Sequence, residues 1–198
     1  MTLPAATLSG YFCRLHEKLS RADMVFDPSW IETPIAHKDQ LQWELKALQL
    51  SVSHATHLSF DRFSDRLLLL TPVDLHRISC ALGALKNRRY LRFSIDGSRL
   101  RQLQSMIGAI GYEEIMRPVN RAVSRESRPE WSIESLCIDG VKELMSNQSE
   151  MNPITLRFLK VGLPKNISCV IPCGAERATG LPLPTLRVWY PELRWLFG

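Results

Sequence analysis

The chain has no apolar run long enough to cross a bilayer. Its longest, Leu67 to Leu70, is four residues, against the roughly 20 that a membrane helix needs. The opening MTLPAATLSGYF carries neither a cationic start nor an apolar stretch of signal-peptide length, so no secretory signal is expected. Cysteine is sparse and odd in number, with five thiols scattered at Cys13, Cys80, Cys137, Cys169 and Cys173. That count fits free thiols in a reducing cytosol better than a disulfide framework. There is no G-x-S-x-G nucleophile elbow, no phosphate-binding P-loop and no dinucleotide fingerprint. Gly108-Ala109-Ile110-Gly111 has no strand pattern before it and reads as a helix-to-helix corner. With 198 residues, 45% of them apolar and 23% charged, the composition excludes collagen-like and disordered classes. A chain of this length buries roughly 70% of its unfolded surface and needs no covalent staple.

What the sequence does contain is helical period. Leu8, Tyr11, Phe12, Leu15 and Leu19 fall on one stripe of a helix over 7–20, and Leu41, Leu45, Leu48 and Val52 on another starting near Lys38, with Trp43 at its edge. Phe26-Asp27-Pro28-Ser29-Trp30 and Pro34 read as a connection, because proline lacks the amide donor and restricts its predecessor. Thr71-Pro72-Val73-Asp74 is the clearest helix start, with a hydroxyl cap, a proline at the first position and a carboxylate at the third. Leu75, Ile78, Leu82 and Leu85 then make a core stripe, and Ala81, Gly83 and Ala84 permit close approach of another element. Tyr90 to Ile95 is ambiguous between a helical turn and a strand. Asp96-Gly97-Ser98 turns the chain into a helix pair broken near Gly108, and Pro118 ends or kinks it. Helices are expected again around Ile133 to Leu144, with Pro129 able to begin the first, and from Asn152-Pro153 to Gly162. Residues 162–184 are crowded with glycine and proline and read as a long irregular loop. The aromatic tail, Thr185 to Phe197, must dock on the body or on a partner. The expected fold is therefore all-α, a single compact multi-helix domain over 1–198 with a Pro/Gly-rich loop before a helical tail.

Few residues suggest chemistry. His54, His57, Asp61 and Asp65 would share a face if one helix carried them all, and could then offer two imidazoles and two carboxylates to zinc or iron. Neighbouring Arg62 and Arg66 equally make that face a solvated, charge-paired one. His76 and Cys80 are four apart but have no identifiable further ligands. Cys169 and Cys173 have the wrong spacing for a C-x-x-C redox pair. A cysteine hydrolase would assemble its histidine and aspartate in space, and no local signature points to one. No catalytic residue, metal or cofactor is therefore expected.

Charge is more informative. Lys86 to Arg128 holds ten basic residues against four acidic ones, a net +6 that exceeds the +5 of the entire chain. Nine of the ten are arginine, which favours bidentate pairing with carboxylate or phosphate. Such a patch reads either as solvated helix faces or as a surface for nucleic acid, anionic lipid or an acidic protein. Between Arg88 and Arg101 only Tyr90 and Phe93 are aromatics interleaved with the arginines, and neither an RNP-like strand nor a helix-turn-helix is visible, which disfavours nucleic acid.

The block from Leu67 to Tyr112 resembles the central region of the SctK family of type III secretion sorting-platform proteins. The likeness lies in a leucine run, a helix ending in Leu82-Gly83-Ala84-Leu85, a basic stretch, and a second helix from Leu100-Arg-Gln-Leu103 to Ile107-Gly108. Leu156-Arg157-Phe158-Leu159 before Leu163-Pro164, Arg187-Val188-Trp189-Tyr190-Pro191 before Leu196-Phe197, and the early Phe26 to Trp30 element are similar too. The resemblance implies a non-enzymatic helical adaptor, cytoplasmic and peripheral to the inner-membrane base of the injectisome. Such an adaptor links the cytoplasmic domain of the ring protein SctD to the pod protein SctQ. On that reading Arg88, Arg89, Arg92, Arg99 and Arg101 form the charged partner surface, and Trp189, Tyr190, Trp195 and Phe197 the apolar one. A basic helical nucleic-acid-binding module is the alternative.

Overall fold

The computed structural model describes residues 4–31, 38–54, 58, 60–118, 131–145, 151–169 and 182–197. These are all-α, with no strand among them. In chain order the helices are α1 (Ala5–Ser20), α2 (Ala22–Val25), α3 (Pro28–Ile31), α4 (Lys38–Ser53) and α5 (Phe63–Arg66), the last running into a 3-10 turn at Leu67–Leu69. Next come α6 (Pro72–Lys86), α7 (Arg88–Leu91), α8 (Gly97–Met116), α9 (Ile133–Met145), α10 (Pro153–Gly162) and α11 (Lys165–Ser168). The tail forms α12 (Leu183–Trp189), a 3-10 turn at Pro191–Leu193, and α13 (Arg194–Phe197). The expectation of one domain over 1–198 meets a chain that divides into two compact units. One takes the described residues of Met1–Leu75 and Gln148–Val170, the other those of His76–Asn147 and Ile171–Phe197. The division falls inside α6, after Leu75, where helical periodicity is unbroken and no sequence signal marks it.

The first unit is organised by the leucine run. Leu67, Leu68, Leu69 and Leu70 are all buried, as are Tyr11, Leu15 and Leu19 on the predicted α1 stripe. Phe12 departs from that stripe and stays 44% exposed. It meets the ring of Phe60 edge-on at 5.2 Å, while Tyr11 lies 5.4 Å from the same ring. Phe60 itself is fully buried at a φ of 55°. A non-glycine residue in that left-handed region costs about 1–2 kcal/mol, which burial of a whole phenyl ring offsets. The expected connection at Phe26 to Trp30 contains instead the helical turn α3, with Pro28 at its start, where a missing amide does no harm. It is tied down by the Asp27 amide donating to the Val161 carbonyl (2.9 Å) and the Trp30 indole to the Leu163 carbonyl (2.8 Å). Arg157 of α10 grips Glu44 of α4 with both arms, at 2.6 and 3.0 Å.

A lysine is buried inside this unit. Lys18 is 4% exposed and donates to the carbonyls of Leu68 (2.8 Å) and Leu70 (2.5 Å), with its ammonium 5.0 Å from the Phe158 ring centre. It thereby caps carbonyls that the short 3-10 turn leaves without helical partners. Burial pulls the Lys18 pKa from 10.5 down to about 7, against the opposing pull of Asp74.

The second unit is organised by a contact between helix backbones. A Cβ added at Gly83 of α6 would strike the Leu136 carbonyl of α9, and one at Gly140 of α9 would strike the Ser79 carbonyl of α6. The close approach anticipated for Gly83 is thus realised. Cys80 and Cys137 meet beside this crossing, both buried and unoxidised. The hydrogen bond to Cys80, and then burial, push the Cys137 thiol far above its ordinary pKa, so it stays protonated and a poor nucleophile. In α8, Gly108 adopts φ 82° and kinks the helix, realising the corner read from Gly108 to Gly111.

The helix starts at Thr71 and Asn152 are as expected. The Thr71 hydroxyl accepts the Asp74 amide at 3.2 Å, and the Asn152 side chain accepts that of Ile154 at 2.9 Å. The start expected at Pro129 lies outside the described residues, and α9 begins after Ser132, whose hydroxyl accepts the Ser135 amide at 3.0 Å. The loop expected over 162–184 is helical at Lys165–Ser168 and again from Leu183, while 170–181 lie outside the described residues.

Two outcomes test these arrangements. Gly83→Ala or Gly140→Ala should cost about 3 kcal/mol or more in denaturant unfolding, because backbone cannot yield to a methyl. Gly10→Ala, facing open space in α1, should instead stabilise by about 0.5–1 kcal/mol. Lys18 binds more protons unfolded than folded between pH 7 and 10.5, so stability should rise with pH across that window, by at most about 1.4 kcal/mol per unit. Lys18→Met should flatten that slope.

Candidate interaction surface

The arginine-rich segment begins where α6 ends. Asn87 stops the helix there, its amide bridging the Gly83 carbonyl and the Asp139 carboxylate, both at 2.9 Å. Lys86 pairs with Glu143 at 2.5 Å. The single turn α7 follows, fixed through buried Leu91, and the chain then reaches the cap of α8. Asp96 is that cap, accepting the amides of Ser98 (3.0 Å) and Arg99 (3.1 Å) and the Ser98 hydroxyl (2.7 Å). Those bonds, the Arg99 amide foremost, hold its carboxyl below the usual aspartate range.

The five predicted arginines divide into two kinds. Arg92 donates to the Ile115 carbonyl at 2.6 Å, and Arg99 pairs with Asp96 at 3.1 Å while donating to the Trp131 carbonyl at 2.8 Å. These two stitch α7 and α8 to their surroundings. Arg88, Arg89 and Arg101 are exposed, with no side-chain hydrogen bond or ion pair among the described residues. Burial lowers the Arg92 pKa and the Arg88 charge lowers it further, with Glu114 opposing. Like charges thus crowd this corner without full compensation. Arg121, Arg125 and Arg128 lie outside the described residues.

The aromatic tail has a different fate. Trp189 is 6% exposed and Tyr190 fully buried, so both serve the core of the second unit, where they had been expected at a partner surface. The reason is a glycine: the Trp189 ring lies where a Cβ on Gly111 would stand, 2.8 Å from its Cε3. The Arg77 guanidinium covers the Tyr190 ring at 5.1 Å and reaches Glu192 at 3.3 Å. Burial raises the Tyr190 phenol above its ordinary pKa. Trp195 and Phe197 are half-buried.

No family model, curated protein or solved structure matches this chain. Its functional reading therefore rests on its own geometry and on the likeness of its sequence blocks. Among the described residues no group of three or more His, Cys, Asp or Glu could hold a metal ion, and no helix is long and apolar enough to cross a membrane. The helix that would align His54, Asp61 and Asp65 does not form: α4 ends at Ser53, Phe60 has positive φ, and α5 starts at Phe63. His57 lies outside the described residues. A groove of about 500 Å³ in the first unit, between α1 and α4, is lined by Phe12, Leu15, Leu19, Gln49 and Val52 among others, with His16 the single titratable side chain among the described residues that line it.

Ile95 was absent from the sequence-based candidates, yet it is 97% exposed at the arginine corner. Its apolar neighbourhood in sequence concealed it, since short runs such as Tyr90 to Ile95 do not declare which member is buried. The division of the arginines predicts a division of effects. Arg92→Ala should cost about 1 kcal/mol in denaturant unfolding through the lost carbonyl bond. Arg88→Ala and Arg89→Ala should stay within about 0.5 kcal/mol of the parent.

Proposed function

We propose that this protein is a non-enzymatic adaptor of the type III secretion sorting platform, SctK-like, that links the cytoplasmic domain of an SctD-like ring protein to an SctQ-like pod protein. It works on the cytoplasmic side, at the inner-membrane base of the apparatus. One observation carries the interaction surface: Arg88 and Arg89 stand exposed and unpaired among the described residues, beside an Arg92 that the Ile115 carbonyl already holds. Exposed cations that the fold does not use are free to steer and pair with an anionic surface. Arginine also dominates interface hot spots, through its planar, bidentate donors. The helical architecture fits the adaptor reading, as does the order of the leucine, basic and aromatic blocks along the chain. The surface narrows to Arg88, Arg89 and Arg101, with Arg92 and Arg99 holding the corner in shape.

Co-purification with the pod protein and with the ring protein's cytoplasmic domain tests this. Arg88→Glu/Arg89→Glu should reduce capture of one of them by tenfold or more, while the thermal midpoint moves by no more than about 2 °C. Wild-type capture of neither protein, combined with nucleic-acid binding that weakens log-linearly with salt, would replace the adaptor by the basic nucleic-acid module.

A further inference from the structure

Ile95 occupies the position just before the Asp96 cap of α8. An apolar residue there ordinarily folds over the first turn and packs on the fourth helical residue, closing a hydrophobic staple. The fourth residue of α8 is Leu100, so a partner is available in sequence, and Leu100 is only partly exposed. Ile95 nonetheless stands 97% exposed, the barest of the large apolar side chains among the described residues. Phe93, two residues earlier, is 40% exposed. Arg88 and Arg89 lie on the same eight-residue corner, folded back on itself by the Phe93 amide donating to Tyr90 (3.1 Å) and the Ser94 amide to Leu91 (3.0 Å).

We propose that Ile95 is the apolar anchor of the arginine surface, and that its occupant is an acidic segment of a protein partner with an apolar socket beside its carboxylates. This rests on the adaptor reading and specifies the partner's chemistry at that same site. Charge alone would steer a partner to Arg88 and Arg89 and leave it loosely held, because exposed ion pairs contribute little once formed. Burying one bare isoleucine within the contact adds the non-directional, salt-insensitive part. An anionic bilayer is the other surface that takes cations and an apolar side chain together. A single acyl chain, far larger than one isoleucine, holds a protein to a membrane only marginally, so this corner is too small to anchor there. A protein interface works with a few such side chains, ringed by contacts that exclude water.

The full-length protein should be immobilised and its binding to the SctQ-like pod protein and to the SctD-like cytoplasmic domain timed at low and high salt. Ile95→Ser, at a position with no contacts to lose, should speed dissociation about tenfold while leaving the association rate and its salt dependence unchanged. Arg88→Glu/Arg89→Glu should instead slow association and flatten the salt dependence, and Ile95→Leu should restore slow dissociation. Dissociation of Ile95→Ser within twofold of the parent overturns the anchor and leaves the adaptor reading standing. Binding to phosphatidylglycerol vesicles, lost in Ile95→Ser and absent with phosphatidylcholine alone, assigns the corner to membrane and overturns the proposal. Failure of the parent to bind either protein removes both readings.

Discussion

Gly83 and Gly140 bring the backbones of α6 and α9 into contact, and the second unit is built outward from that point. Where two helices touch through their main chains, only small side chains fit alongside, which is why Ser79 and Cys80 share that face of α6 with Gly83. The same closeness fixes the end of α6. Lys86 and Asn87 reach Glu143 and Asp139 on α9, so the last turn is held by side chains as well as by its own ladder. The exposed arginines of α7 follow immediately. The backbone from which they project is therefore tied to α9 at the end of α6.

Both units commit basic side chains to backbone carbonyls. In the first, a lysine is driven into the interior to cap Leu68 and Leu70, at the cost of much of its basicity. In the second, Arg92 and Arg99 reach the carbonyls of Ile115 and Trp131. A basic composition therefore does not translate directly into a basic surface. Part of the charge is internal mortar, and the candidate interaction surface is what the fold leaves over.

Much of the architecture was legible in the sequence because it is written locally. The hydroxyl cap at Thr71, the amide cap at Asn152, the glycine break at Gly108 and the small-residue face of α6 each follow from chemistry within a few residues. The elements that escaped notice are those whose conformation depends on distant groups. The Phe26 to Trp30 connection becomes partly helical because Val161 and Leu163 receive its donors. Phe60 takes its place against Tyr11 and Phe12 at a left-handed backbone angle that nothing in its own sequence signals.

For the interaction surface the division is sharper. Sequence determined that the cations concentrate between Lys86 and Arg128 and that the chain ends in aromatics, because composition and order need no folding to be read. Only the tertiary structure decided which cations remain available, since a guanidinium is taken up or left free by carbonyls far away in the chain. It also turned Trp189 inward, onto the space Gly111 leaves open, and left Ile95 bare beside an unused staple partner. Burial is a property of what surrounds a residue, and no side chain carries that information by itself.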